Sequence, residues 1–376
     1  MNEKLIAPYT EQEVKTALFQ MFPTKAPGPD GFPAHFFQKH WHICGEEVTN
    51  IVIRLLNGED SPEEINRTFI VMIPKIKNPT SLSQYRPISL CNVVFKIASK
   101  VLANRLKQIL PEIVSEEQSA FVPGRLITDN VITAYECLYF MKHNRSKKNS
   151  HAALKLDMKK AYDRLEWEYL NAIMIKMGFS PVFVEAVMRG VRTVSFSVLF
   201  NGGVTREFKP SRGIRQGDPI SPYLFLLAAE GLSCLLKQAM SNGNLEGIKI
   251  AATAPKVNHH LFADDCIIFC MASLEEAAKL RDVINDYCNA SGQRVNHDKS
   301  AVFFGKGCHQ NIRDGIKAIL EVQAKTLNDK YLGLPSDVGR SKNGAFGYLK
   351  DRIWKRLQGW MDNCCRQEEK RYSLNL

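Results

Sequence analysis

Two adjacent aspartates, Asp264 and Asp265, lie between apolar runs in HHLFADDCIIFC, and they constrain the fold more than any other feature of the chain. A third acid, Asp157, follows a similar run in ALKLDMKKAYD. Apolar runs of this length predict strands. Strands that end in acids are costly unless a cation neutralises them, because neighbouring carboxylates repel and desolvation disfavours their charge. Two divalent ions held by the three acids would solve that problem and would also move phosphoryl groups. One ion lowers the pKa of an attacking hydroxyl while the other stabilises the departing oxygens. Such ions sit roughly 3.5–4 Å apart, so their ligands must be short and rigidly placed carboxylates. Asp157 and Asp264 are the expected ligands to both ions, with Asp265 assisting. Surface acids at strand ends explain any one of these residues, but not three such acids with a Gln-Gly turn between them.

The charge balance points the same way. A net charge of +11 and a pI near 9.1 favour an anionic partner, and nucleic acid leads because Lys/Arg contacts to phosphates supply most non-specific affinity. Ten cysteines show no disulfide-like or zinc-finger spacing. His259, His260, Cys266 and Cys270 imitate a metal cluster, but if both flanking segments are strands these side chains spread over a hairpin. The polar start MNEKLIAPYT is not a signal peptide. The apolar stretch Pro219 to Leu236 is interrupted by Glu230 and reads as a buried helix, so no membrane partner is expected. The expected setting is intracellular and reducing.

Local signals order the elements. Thr10-x-x-Glu13 is a capping box ahead of helical spacing, and KAPGPDGFP at 25–33 is a shaped loop. Helical patterning resumes over 34–57. A short strand spans Thr68 to Ile73, and a helix over 92–110 is expected to end at Pro111. Another helix runs from about Asp129 to Lys142, and Ala152 to Asp157 is the first core strand. Helices are predicted near 166–177 and 181–190. Ser195–Phe200 and Val204–Phe208 flank a turn at Asn201-Gly202-Gly203. Ser221 as N-cap and Pro222 as first helical residue open the next helix. The acid hairpin covers about 257–270, Ser273 caps a helix to about Asn289, and Ser300–Phe304 returns as a strand. The whole is an α+β fold.

Arg212, Gly213, Gln216 and Gly217 form a turn whose glycines let backbone approach a nucleotide, and whose Gln can bridge sugar and base. Arg215 and Asp218 read as loop charges. Lys75 in IPKIKNP and Arg86 in YRPIS are cations suited to a triphosphate, although each alone is more often a solvated charge. Lys299 in SGQRVNHDKS is placed to meet a leaving pyrophosphate, or is simply a turn lysine. Residues 340–376 hold nine Lys/Arg against four Asp/Glu, with Trp354 and Trp360 at helix-like spacing.

The blocks KAPGPDGFP, IPKIKNP, YRPISLCNVVFKIASKVLANRL, EEQSAFVPGR, LKLDMKKAYDRLEW, GIRQGDPISPYLF, FADD, SGQRVNHDKS and YLGLP resemble the reverse transcriptase of plant LINE-type non-LTR retrotransposons. The resemblance implies a right-hand polymerase with fingers, an antiparallel palm sheet and a partial thumb. It divides the chain into an N-terminal extension (1–55), the reverse transcriptase domain (56–335) and the start of a thumb (336–376). It implies two Mg²⁺ ions, with Mn²⁺ as a substitute, acting on an RNA template, a DNA primer and deoxynucleoside triphosphates. It also implies that Tyr162, five positions after Asp157, packs under the nucleotide sugar and obstructs a 2′-hydroxyl; the rival role is a core tyrosine. Within these 376 residues no endonuclease or ribonuclease H pattern occurs. The family-like KDRIWKRLQGW gives way to MDNCCRQEEKRYSLNL, so a truncated thumb is expected. A non-catalytic nucleic-acid-binding remnant is the main rival. A group II intron maturase-like protein is disfavoured by FADD and KAPGPDGFP.

Overall fold

The computed structural model describes residues 1–144, 150–324, 330–332, 334–335, 347 and 349–358. Trp360 and the basic tail beyond it lie outside the described residues, as does the centre of the charged loop after Lys142.

Four helices open the chain: α1 (Asn2–Ile6), α2 (Glu11–Phe19), α3 (Ala34–Lys39) and α4 (Trp41–Asn57). Both arms of the Thr10–Glu13 capping box form. These helices pack on α5 (Val93–Ile113), where Leu5, Val14, Leu18 and Val52 share one core with Val101 and Leu106. Buried Arg105 on α5 donates to the carbonyls of Leu5, Ala7 and Pro8 and to the Glu13 carboxylate. The helix does not stop at Pro111 as its sequence predicts; it runs on to Ile113. Pro111 stands in the last turn, where its missing N–H forfeits one bond, and the Val114 N–H closes the helix on Leu110.

Two strands, β1 (Arg67–Pro74) and β2 (Tyr85–Cys91), precede α5 as an antiparallel hairpin. The chain continues through α6 (Ile127–His143), β3 (His151–Leu156), α7 (Ala161–Arg164), α8 (Trp167–Lys176), α9 (Pro181–Arg192), β4 (Ser195–Phe200) and β5 (Gly203–Val204). There follow α10 (Ser221–Ser241), β6 (His259–Phe262), β7 (Asp265–Met271), α11 (Leu274–Ser291), β8 (Ala301–Phe304), α12 (Gln310–Leu320) and the short strands β9 (Gln323–Ala324), β10 (Lys330–Tyr331) and β11 (Leu334–Pro335). One sheet has the order β2-β1-β4-β5 and another β6-β7-β3-β8-β9, with β10 and β11 paired separately. Antiparallel pairs dominate; among the described strands, β1–β4 and β8–β9 are the parallel pairs. The α+β expectation therefore holds.

Two further boundaries differ from the sequence reading. The β4–β5 turn uses only Asn201 and Gly202, both with positive φ, and Gly203 pairs with Phe200. Past Val204 the returning chain meets β4 through the bonds between Thr205 and Val198 and the isolated Phe196–Phe208 bridge, rather than as a full strand. Ser221 is the first helical residue of α10 and not its cap, because the chain enters through Ile220 already in the helical region.

The five-stranded sheet explains why its strands read as continuous apolar runs. Leu154, Ile268 and Val302 face α10, α11 and α12, while Ala153, Ile267 and Phe303 face α6. The strands β3, β7 and β8 are thus buried on both faces, and their period-2 alternation separates two cores instead of core from solvent. α10 is long and apolar enough to span a membrane, yet most of it is buried within the protein, as the sequence reading anticipated.

Candidate active site

The pairing register brings the acids together. Leu156 at the end of β3 lies opposite Cys266 on β7, so Asp157, the next residue, comes out beside Asp265. Asp264 occupies the two-residue turn between β6 and β7, where Phe262 pairs with Asp265. Ala263 makes that turn with a left-handed φ of 54°.

Residues passed over in the sequence reading hold this geometry. The Asn296 side-chain amide donates to the Asp157 carboxylate at 2.9 Å, and the Asn296 N–H reaches the Asp157 carbonyl at 2.9 Å. The Asp157 N–H donates to Ser300 Oγ at 3.0 Å. On the other side, buried Gln118 accepts from the Ala263 and Ala120 N–H groups, each at 3.0 Å. Neighbouring backbone bonds, Leu261 to Glu117 and Ser119 to Leu261, tie the EEQSAF segment to the acid turn. A Gln three positions before an aromatic in a block that is neither helix nor strand was the available signal for Gln118.

Electrostatics mark the acids as short of positive charge. Loss of hydration raises the Asp264 pKa despite its open tip, the Asp157 charge raises it further, and Arg86 and Lys299 pull it back. Loss of hydration likewise raises Asp265, followed by repulsion from Asp264; Lys155 opposes both. Among the described residues no group of three or more His, Cys, Asp or Glu side chains is arranged as it stands to hold a metal ion. The three carboxylates offer hard oxygen donors with unbalanced charge, a set that fits a hard divalent cation. Arg86 and Lys299 therefore lie within the field of the acids. Lys75 does not: its ammonium donates to the Ser83 carbonyl at 2.9 Å, and its charge acts on Asp163.

Tyr162 stacks on Phe225 of α10 with centroids 5.0 Å apart. Burial pushes its hydroxyl up to about 12, with the Asp264 charge as a second cause. It has a packing partner and it borders the acids. The Gln216 carbonyl accepts from the Ser89 N–H at 2.8 Å, joining the glycine-rich turn to β2. Gly217 has a φ of 120°, and a Cβ there would stand 2.8 Å from the Ser89 carbonyl oxygen, so the approach admits only glycine.

Arg215 and Asp218 are not the solvated loop charges that their sequence context suggested. Both are buried and paired with each other. Arg215 also donates to Asn66 and stacks on Phe95 at 4.2 Å, while Asp218 accepts from Ser99. The pair fastens the Gln-Gly turn to the foot of β1 and to α5. His259 is no zinc ligand either. It is buried between Ser233 and Asn258, and loss of hydration lowers its pKa to about 4.

The family model for reverse transcriptase (RNA-dependent DNA polymerase) matches residues 73–336. The chain is 32% identical over 302 residues to a 149 kDa protein of transposon TX1 from Xenopus laevis, covering 80% of this chain and 22% of that protein. It is 26% identical over 301 residues to the Pol polyprotein of the type-2 element R2DM of Drosophila melanogaster, covering 79% and 26%. A probable RNA-directed DNA polymerase from the transposon X-element of the same fly is 25% identical over 292 residues, covering 75% and 29%. The chain thus spans roughly a quarter of the length of these relatives. A match across most of the chain, joined to acids that the sheet register brings side by side, places this protein in the reverse transcriptase (RNA-dependent DNA polymerase) family.

Proposed function

We propose that this chain is the polymerase core of a non-LTR retrotransposon, extending a DNA primer on an RNA template with deoxynucleoside triphosphates. The observation that carries the reading is the emergence of Asp157 beside Asp265 at the end of the β3–β7 ladder, with Asp264 in the adjoining turn. In this reading β1 and β2 belong to the fingers and the five-stranded sheet to the palm of a right-hand polymerase. Residues 1–55 form the extension before the fingers, 56–335 the reverse transcriptase domain, and 336–376 the start of the thumb.

Asp157, Asp264 and Asp265 would hold two Mg²⁺ ions, or Mn²⁺ in their place. When bound, the ions activate the primer 3′-hydroxyl and stabilise the leaving pyrophosphate. The remaining work falls to the protein. Asn296 and Ser300 fix the direction of Asp157. Arg86 and Lys299 bring positive charge to the side of the acids where a triphosphate must lie. Lys75 adds charge at Asp163, further along the same path. Tyr162, braced on Phe225, would obstruct a ribose 2′-hydroxyl. Gln216 and Gly217 present backbone and amide to the nucleotide.

The test is primer extension on a primed RNA with labelled deoxynucleotides and Mg²⁺. Asp264→Asn should abolish extension and leave template–primer binding within a factor of about two, because it removes metal charge and no backbone contact. Undiminished extension by that variant would refute the assignment.

A further inference from the structure

A cavity of about 560 Å³ opens between the end of α11, the 292–297 turn and the end of α12, and its polar lining is dominated by cations. Lys159, Arg164, Arg212, Arg281, Arg294 and His297 line it, against one acid, Glu321. Glu321 lies closest to His297, whose Nδ1 is 3.1 Å from its carbonyl oxygen and Nε2 4.0 Å from its carboxylate. Arg212 is paired with Glu166 at 3.1 Å, and Arg281 with Asp282 at 3.1 Å. Lys159, Arg164 and Arg294 have no side-chain ion pair or hydrogen bond among the described residues, and Arg164 Nε is closed off from solvent with no partner.

Like charges gathered around a concavity repel unless an anion joins them. The Arg164 guanidinium bears that strain: burial, and then the charges of Arg294 and Arg212, lower its pKa. The cluster is also fixed by the backbone. The Lys159 N–H donates to the Arg294 carbonyl at 2.8 Å. Gly292 approaches so closely that a Cβ there would stand 2.6 Å from the Arg164 carbonyl oxygen. Planar guanidiniums held this way suit bidentate phosphate contacts. The cavity is distinct from the carboxylate site, although Lys159 is two residues beyond Asp157 and Arg294 two before Asn296.

We propose that this arginine-lined cavity is a second phosphate-binding site, taking two or more linked phosphate groups without the help of a metal. The linked phosphates could come from a free polyphosphate or from the backbone of an RNA strand, and the chemistry of recognition is the same. Its test does not depend on polymerase activity. Binding of sodium tripolyphosphate and of a short oligouridylate to the full chain would be followed by calorimetry and fluorescence anisotropy in EDTA. Arg164→Gln with Arg294→Gln should weaken binding at least tenfold. Lys39→Ala with Lys176→Ala, which removes the same charge at exposed positions elsewhere, should change it less than twofold. For the RNA, the salt slope should fall by about 1.4, near 0.7 per lost contact. If the Arg164 change harms folding, exposed Arg294→Gln alone should still give a threefold loss. Mutual competition would assign the cavity to backbone phosphates, and tripolyphosphate binding undisturbed by RNA would assign it to free polyphosphate. Equal affinity of the parent and the double glutamine variant for both ligands would overturn the proposal.

Discussion

Removing either partner of the Arg215–Asp218 pair should destabilise the protein far more than a loop charge could, and removing both should cost less than the sum. The side chains are only 5% and 3% exposed, so a lone survivor is a buried, uncompensated charge worth about 3–5 kcal/mol. Arg215→Met leaves Asp218 its bonds from Ser99 Oγ and the Ile220 N–H, which hold part of its charge. That variant belongs at the lower end, about 3 kcal/mol. Asp218→Ala leaves a guanidinium with only the neutral acceptors Asn66 and Thr68, and it belongs nearer 4 kcal/mol. The double variant removes both buried charges, so a coupling of about 2 kcal/mol should separate it from the additive sum. Urea unfolding of the four proteins at one pH and ionic strength measures all these terms. Primer extension should fall with both single variants, since the Gln-Gly turn loses its anchor to β1 and α5. Single-variant costs below about 1 kcal/mol, in the range of exposed pairs, would refute the account of this turn.

Tyr162→Ala should raise ribonucleotide incorporation much more than it lowers deoxynucleotide incorporation; because the hydroxyl titrates only near 12, the parent's selectivity should be flat from pH 7 to 9. Unchanged ribo/deoxy selectivity in the variant would make Tyr162 a packing residue. Asp264 and Asp265 have folded pKa values above 3.8, so the stability they contribute is present below about pH 3.8 and is lost as pH rises through the raised values. In EDTA, Asp264→Asn should therefore melt above the parent at pH 7.5, and the difference should vanish by pH 3.5. Added Mg²⁺ should raise the melting point of the parent and not of the variant, and a parent insensitive to Mg²⁺ would count against the metal reading. Gln118→Ala removes the acceptor for one buried and one half-buried N–H group; it should cost about 1–3 kcal/mol and raise the Mg²⁺ concentration needed for half-maximal extension, and an unchanged Mg²⁺ dependence would confine Gln118 to stability.

The acids were legible because a doubly buried strand can be read from its own residues, and a carboxylate at its end stands out against them. The tethers of Asp157 were not. Asn296 is 139 positions away, and Asn and Ser in SGQRVNHDKS signal a turn whatever they touch. Arg215 and Asp218 show the same limit from the other side. Opposite charges three apart in a glycine-rich loop imply solvent, and only Asn66, Phe95 and Ser99, supplied by remote segments, turn them into a core pair. Helix ends failed at Pro111 and Ser221 because local cap preferences are weak against the packing of α5 and α10.

Arg105 carries a consequence for where the folding unit begins. The match to the family model starts at residue 73, but the guanidinium of Arg105 has its acceptors at Leu5, Ala7, Pro8 and Glu13. The opening stretch therefore acts as a stopper pressed into the flank of α5, charge to charge and apolar side chain to apolar side chain. A protein cut where the family-model match begins would leave an ionised group facing an empty socket and strip Val101 and Leu106 of their cover. It should precipitate or misfold before any question of catalysis arises.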